Sequence, residues 1–329
     1  MSIWRPSILT AAVNKIKPVK TPALDRVFAN KQPQTSKNFA WDVIAGTEKL
    51  MKPVRTSAPA TVSQNNTKLH VSCEGPRFSE KRLITADQLD ALRRLGSDVE
   101  QELLQKEIAR NQTDLRSKLD RTREFQAISA LKGQVVDADG NVLVDYGFSG
   151  DQQVTLAGKN LWTDSESKPI NNLRAWKRFI ADGIGGVDQW FAFLGFEAMD
   201  ALLNNVNMRD LLKYTMGDQV AKEGRIANAA GIEFVEYDFS YLNDAGTRTR
   251  PLGDKYLILV GVQNDTAAEY YAPPCVLGYD GNVGAGNRAA MIFSDSWEEK
   301  DPSGRWIRVE SRPLPVILKT ECIVVAKVA

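Results

Sequence analysis

Histidine is almost missing: His70 is the only one in 329 residues. A Ser-His-Asp or Cys-His constellation would have to use it, and so would any His-containing metal cluster. It sits in Lys68-Leu69-His70-Val71, whose alternation reads as a strand with the ring on a sheet face. Histidine-free catalysis by carboxylate pairs, lysine or bound metal stays open, so the scarcity weakens the case for an enzyme without closing it. Cysteine is scarce too. Cys73, Cys275 and Cys322 lie far apart, show no metal-ligand spacing and read as unpaired thiols of a reducing cytosol. Apolar runs such as 187–196 and 256–262 fall far short of a membrane span. The basic N-terminus has no apolar core with a cleavage site, so no secretory signal is read. Net charge is lacking as well: 42 basic against 41 acidic residues leave +1, which excludes a simple polycation that coats nucleic acid.

What is present is ordinary globular composition, 43% hydrophobic and 25% charged, over a length sufficient for about two domains and a sizeable core. That excludes a wholly disordered chain, a collagen and a small disulfide scaffold.

The charge is unevenly placed. Residues 1–85 carry 14 Lys+Arg and 5 Asp+Glu, a net of +9, and the remainder is therefore at −8. Such asymmetry points to a basic arm or flap against an acidic surface. The basic residues lie among Pro, Ser and Thr with few aromatics, so they form no stacking platform for bases. Neutralising the acidic body of a neighbouring copy is the favoured reading.

The first 38 residues hold Pro6, Pro18, Pro22 and Pro33 and read as an extended arm with one short helical turn at 23–29. Strand-like runs follow at 39–54 and 68–84, separated by the polar stretch 56–66: a long two-stranded flap. A lone hairpin is marginal in water, so arm and flap are expected to have little core of their own and to gain order on another subunit.

From 86 to 132 there is no proline, and Gly96 is the only glycine. Thr85 with Gln88 makes a capping-box start, and Lys132-Gly133 a stop. Leu92, Leu95, Val99, Leu103, Ile108, Leu115, Leu119 and Ile128 recur at helical spacing. Leu115 and Leu119 are expected to pack against the sheet containing Val135 and Val142. Glu102/Lys106 and Asp114/Lys118 are i,i+4 pairs. Roughly 45 helical residues span ~70 Å, against about 50 Å for the diameter of a globule of this length. The subunit must be elongated or flattened. The stripe lacks a strict heptad, so packing as a spine on the chain's own sheet is preferred to a two-chain coiled coil.

Downstream, 133–146 is a hairpin about the turn Asp139-Gly140-Asn141. Helices are read at 171–181, ending at Gly183, and at 196–204 and 208–216. Strands are read at 188–193, 232–241, 255–262, 306–317 and 321–328, with Pro313 and Pro315 at a bend. This is a mixed α/β domain over about 185–300.

Two motifs are weighed as ligand sites. The glycine loop 281–288 lacks the Gly-Lys-Ser/Thr ending of a P-loop and the dinucleotide spacing. The acids Asp295, Glu298, Glu299 and Asp301 lack the pattern of an EF-hand. A surface loop and a solvated acidic turn are the preferred readings.

The order of elements resembles phage major capsid proteins with the HK97 fold, more narrowly the lambda-type coat protein E family. The segments carrying the resemblance are Phe125-Gln-Ala-Ile-Ser-Ala-Leu-Lys-Gly133 before the Asp139-Gly140 hairpin, Tyr279 to Arg288, Arg312-Pro-Leu-Pro315, and Val324-Val-Ala-Lys-Val328. The resemblance implies an α+β fold with an N-arm (1–38), an extended hairpin flap or E-loop (39–85), and a peripheral domain with the spine helix (86–150 and 302–329). A connector (151–184) and a mixed α/β axial domain (185–301) complete it. It further implies a non-enzymatic subunit that assembles into pentamers and hexamers of an icosahedral shell around double-stranded DNA, bound without regard to sequence. Implied partners are the chain itself, portal and scaffolding proteins and a decoration protein; no membrane, cofactor or metal is implied. The implied location is the virion, with assembly in the host cytoplasm. The alternatives are a nanocompartment shell of the same fold, similar to encapsulin, and a nucleotide- or metal-dependent enzyme using 281–288 and 295–301.

Overall fold

A computed structural model of the chain describes residues 4–45, 67–88, 97–212, 224–263, 266–272, 274, 290–301 and 303–329. Two helices open it, α1 (Pro6–Lys15) and α2 (Pro22–Arg26), each with proline in its first turn, where the missing N–H has no intrahelical partner to lose. This corrects the expected extended arm. Pro6 and Pro22 are helix starters, and Leu9, Val13, Ala23, Leu24 and Phe28 are buried in the subunit. The arm therefore contributes to the core instead of awaiting another copy.

The flap begins as a ribbon of β2 (Asn38–Ala45) and β3 (Thr67–Glu74), antiparallel over eight residue pairs and joined to no other strand among the described residues. Its root is fixed where Phe39 and Trp41 meet Tyr270 edge-to-face, with ring centres 6.2 and 6.4 Å apart. The expected tip, 56–66, lies outside the described residues. The run 68–84 is two strands, not one: Gly75-Pro76 interrupts it, and β4 (Phe78–Thr85) pairs elsewhere, with β16 (Ser303–Ser311), whose other neighbour is β15 (Phe293–Lys300).

Across that three-stranded sheet lies the spine helix α3 (Ser97–Leu131), 35 residues and so about 52 Å long. Thr85 and Gln88 exchange the two capping-box bonds, at 3.2 and 3.4 Å; Gly96 lies outside the described residues. Leu115 and Leu119 pack with Val13, Ile292 and Val309. The expected partners were Val135 and Val142, but Val142 is 52% exposed, and Val135 belongs to the main core with Ile128 and Leu131. The hairpin of β5 (Gln134–Val136) and β6 (Val142–Asp145) meets only the end of the spine. The expected Asp114/Lys118 pair turns to the sheet instead: Asp114 meets Arg82 at 2.7 Å, and Lys118 meets Glu80. Of the other expected pair, Glu102/Lys106, the Glu102 side chain lies outside those described.

The main core is a six-stranded sheet ordered β7 (Gln153–Thr155), β18 (Ile323–Lys327), β13 (Tyr256–Val262), β8 (Gln189–Leu194), β10 (Ile232–Glu236), β9 (Asn228–Ala229). Its central strands are continuous apolar runs because both faces are covered. Helix α4 (Pro169–Ile184) covers part of it through Leu173, Trp176 and Ile180. The helix runs past the expected stop: Gly183 is inside it, where a Cβ would fall 2.9 Å from Glu321 Cβ. The stop is Gly185, at φ 72°, the left-handed conformation glycine adopts without strain. Helices α5 (Phe196–Asn204) and α6 (Val206–Leu212) follow β8. A small hairpin, β11 (Tyr241–Leu242) with β12 (Arg248–Thr249), leaves this domain.

A third sheet orders β1 (Lys31–Pro33), β14 (Ala267–Tyr271) and β17 (Pro313–Ile317). Pro313 and Pro315 thus lie in a strand and not at a bend, which a sheet edge permits because no N–H is needed on that side. No helix among the described residues is long and apolar enough to cross a membrane.

Candidate assembly elements

One face of the spine carries Gln112, Arg116, Asp120, Arg123 and Glu124, all buried. Their spacing of three or four residues puts them on a single stripe, and that stripe grips the arm. Gln112 donates to Leu9 O at 3.1 Å, and Arg116 donates to Val13 O at 2.7 Å and to both oxygens of Asp120. Arg123 bonds Asp120 at 3.0 Å and Glu269 of β14 in a bidentate pair, both bonds 2.7 Å. Burial alone would lower the Arg123 pKa, but the Glu269 and Asp120 carboxylates outweigh it and hold the guanidinium charged.

Glu124 accepts the backbone N–H groups of Ala23 at 2.9 Å and Leu24 at 3.2 Å, two unpaired donors of the first turn of α2. Burial pushes its carboxyl up to about 7 despite these bonds. The sequence reading missed this stripe because it sought apolar periodicity. The signal was a polar period of the same length on the same helix.

Part of the basic segment is neutralised within the subunit. Lys20 meets Asp238, Arg26 meets Glu233, Arg77 meets Glu310 and Arg82 meets Asp114, at 2.7–3.2 Å. The charge asymmetry was read as binding a neighbour's acidic body; these four pairs close part of it on the subunit's own body.

His70 lies on β3 as expected, opposite Asp42 of β2, with Nδ1 2.9 Å from the carboxylate on the exposed ribbon. Cys73 is half-buried and Cys322 fully buried, and burial raises both thiols, which leaves them less nucleophilic. Cys275 and the glycine loop 281–288 lie outside the described residues. The acidic residues do not converge. Asp295 takes a bidentate pair from Arg308 at 2.9 and 2.6 Å, and Glu298 pairs with Arg305. Residues 295 and 298 of one strand face opposite sides. Among the described residues, no group of three or more His, Cys, Asp or Glu could hold a metal ion.

The arrangement is suited to carrying load. A ribbon that pairs with no further strand among the described residues is rooted in a core. A long helix holds the arm through buried hydrogen bonds, the flap sheet through exposed ion pairs and β14 through a buried one.

Comparison with known proteins matches this arrangement. Residues 6–328 fit the family model described as phage major capsid protein E. The major capsid protein of Salmonella phage Felix O1 is 34% identical over 107 residues, 32% of this chain and 27% of that relative. The match thus spans about a quarter of the relative's length. A candidate prophage capsid protein of E. coli CFT073 superposes with a TM-score of 0.63 at 17% identity, over 98% of this chain and 99% of its own. A phage-related protein of Bordetella bronchiseptica RB50 gives 0.61 at 14%, over 97% and 96%. The mature capsid of bacteriophage PhiM1 gives 0.51 at 12%, over 91% and 85%. At these identities the likeness concerns the fold, which is HK97-like.

Proposed function

The chain belongs to the phage major capsid protein E family, and from that premise we propose that it is the subunit of an icosahedral shell, assembling as pentamers and hexamers around double-stranded DNA. The observation that carries the reading is the family match over nearly the whole chain, together with a ribbon and spine built as structural members. The role is structural, and no residue is assigned to catalysis. The subunit belongs in the virion and assembles in the host cytoplasm, with portal and scaffolding proteins as partners and a decoration protein as a further one.

The proposed parts are the arm (1–38), the E-loop (39–85), the peripheral domain (86–150 and 302–329), the connector (151–184) and the axial domain (185–301). Peripheral and axial parts share sheets, since β17 pairs with β14 and β18 with β13; the subunit is expected to move as one body on assembly. The family match favours a phage shell over a cargo-holding nanocompartment. An enzyme acting through 295–301 has little support, because Asp295 and Glu298 are already paired with arginines.

Size-exclusion chromatography with light scattering tests the reading. Elution as capsomers or megadalton particles supports it, and a stable monomer or dimer at every concentration overturns it.

A further inference from the structure

Helix α4 buries Pro169, Leu173, Trp176, Ile180 and Ile184 and turns Arg174 and Arg178 outward, both exposed. With Lys177, Ile170 and Ala230 they line a shallow depression of about 510 Å³. No acidic residue lines it. Among the described residues, no carboxylate comes within 4 Å of Arg174, Lys177 or Arg178, Asp182 one turn on included. In the arm, by contrast, Lys20, Arg26 and Lys37 each meet an acid.

The depression has a built floor. The Lys177 ammonium donates to Ala230 O at 2.9 Å and lies 4.8 Å from the Trp190 ring centre. Ala230 holds φ 53°, and is the only non-glycine with positive φ among the described residues, beside Gly231 at 71°. A left-handed alanine is strained by its Cβ, and such strain gathers at functional sites. Here the Ala230 carbonyl meets the Lys177 ammonium and holds it at the depression that Arg174 and Arg178 also line. Arg174 and Arg178 are ~6 Å apart along the helix axis, close to the ~7 Å covered by two phosphate steps of one DNA strand at about 3.4 Å each.

We propose that this depression on α4 binds the phosphodiester backbone of the double-stranded DNA enclosed by the shell. The assignment rests on the shell reading and adds to it the surface that meets DNA. Guanidinium groups reach phosphate oxygens in forked geometry, and nothing in the depression reads base edges, so binding is independent of sequence.

The test uses unassembled full-length subunits, a labelled 30-base-pair duplex of random sequence, and fluorescence anisotropy across a salt series. Arg174→Gln/Arg178→Gln removes two phosphate contacts and should flatten the slope of log K against log salt by about 1.8. Arg174→Lys/Arg178→Lys should restore most of it. Circular dichroism melts are expected to match wild type, because both side chains are exposed. An unchanged slope, or a wild-type subunit with no affinity for the duplex at low salt, overturns the proposal. So does a Gln variant that binds DNA normally but no longer forms shells, which would make this face a contact for an acidic segment of a second copy. Electron microscopy of wild type reports separately on the shell reading: absent particles with the slope change intact would remove the shell and leave a DNA-binding surface.

Discussion

The Tyr237 hydroxyl donates to Oε1 of Glu124 at 3.1 Å, the same oxygen that accepts the Ala23 N–H. One buried carboxyl thus joins the spine, the arm and the chain segment leaving β10. Because burial raises Glu124 to about 7 from an ordinary 4.5, the folded subunit holds this proton more tightly than the unfolded chain. Its contribution to stability is complete below about pH 4.5, declines as the unfolded state ionises first, and is gone above about pH 7. Asp25 raises the carboxyl further, and the Ala23, Leu24 and Tyr237 donors oppose it. Urea midpoints from pH 5 to 8 should show a loss on the order of 3 kcal/mol in wild type. Glu124→Gln should flatten that interval. A variant that keeps the full wild-type slope would remove Glu124 as its cause.

The Arg123–Glu269 pair should behave as a buried ion pair. Glu269→Ala leaves a guanidinium that is 5% exposed with Asp120 as its remaining carboxylate, and the loss should approach the ~3–5 kcal/mol of a broken buried pair. Glu269→Gln keeps one acceptor and should cost clearly less. Equal melting temperatures for the two variants would show that the charge on Glu269 carries no weight.

Leu119 and Lys118 are neighbours with opposite fates. Leu119→Ala empties a site beside Val13 and Val309 and should cost about 2–5 kcal/mol. Lys118→Ala removes only an exposed pair with Glu80, worth under about 1 kcal/mol. Chemical denaturation of the unassembled subunit measures both, and an equal or larger loss for Lys118→Ala would misplace the buried face.

Truncation of the chain to begin at Thr85 should abolish folding. It removes Leu9, Val13, Leu24, Phe28, Phe39 and Trp41 from the core, takes away β4 and its pairing with β16, and leaves Arg116 and Glu124 without their backbone partners. A soluble truncated chain with a cooperative melt would show that arm and flap are dispensable to the subunit.

What the sequence made legible was whatever rests on local pattern. The spine shows as a proline-free run with apolar residues at helical spacing, the 133–146 hairpin as an Asp-Gly turn, and β8 and β13 as apolar runs. What it concealed depends on long-range partners. Pro6 and Pro22 looked like breaks because a helix start and an extended arm share the same residue. Arg116, Asp120 and Glu124 carry no local sign of burial because their partners lie in the arm, about a hundred positions earlier. Pro313 and Pro315 looked like a bend because their strand lies at a sheet edge, and an edge is a property of topology. The cationic depression joins α4 to a turn some fifty residues later, a proximity that only the folded sheet creates.

Electron cryomicroscopy of the purified, concentrated protein tests the central claim most directly. The account predicts closed particles whose density repeats this fold in five- and six-fold rings, with the β2–β3 ribbon reaching beyond its own subunit. Only discrete small oligomers, across salt and concentration and with a scaffolding partner supplied, would contradict it.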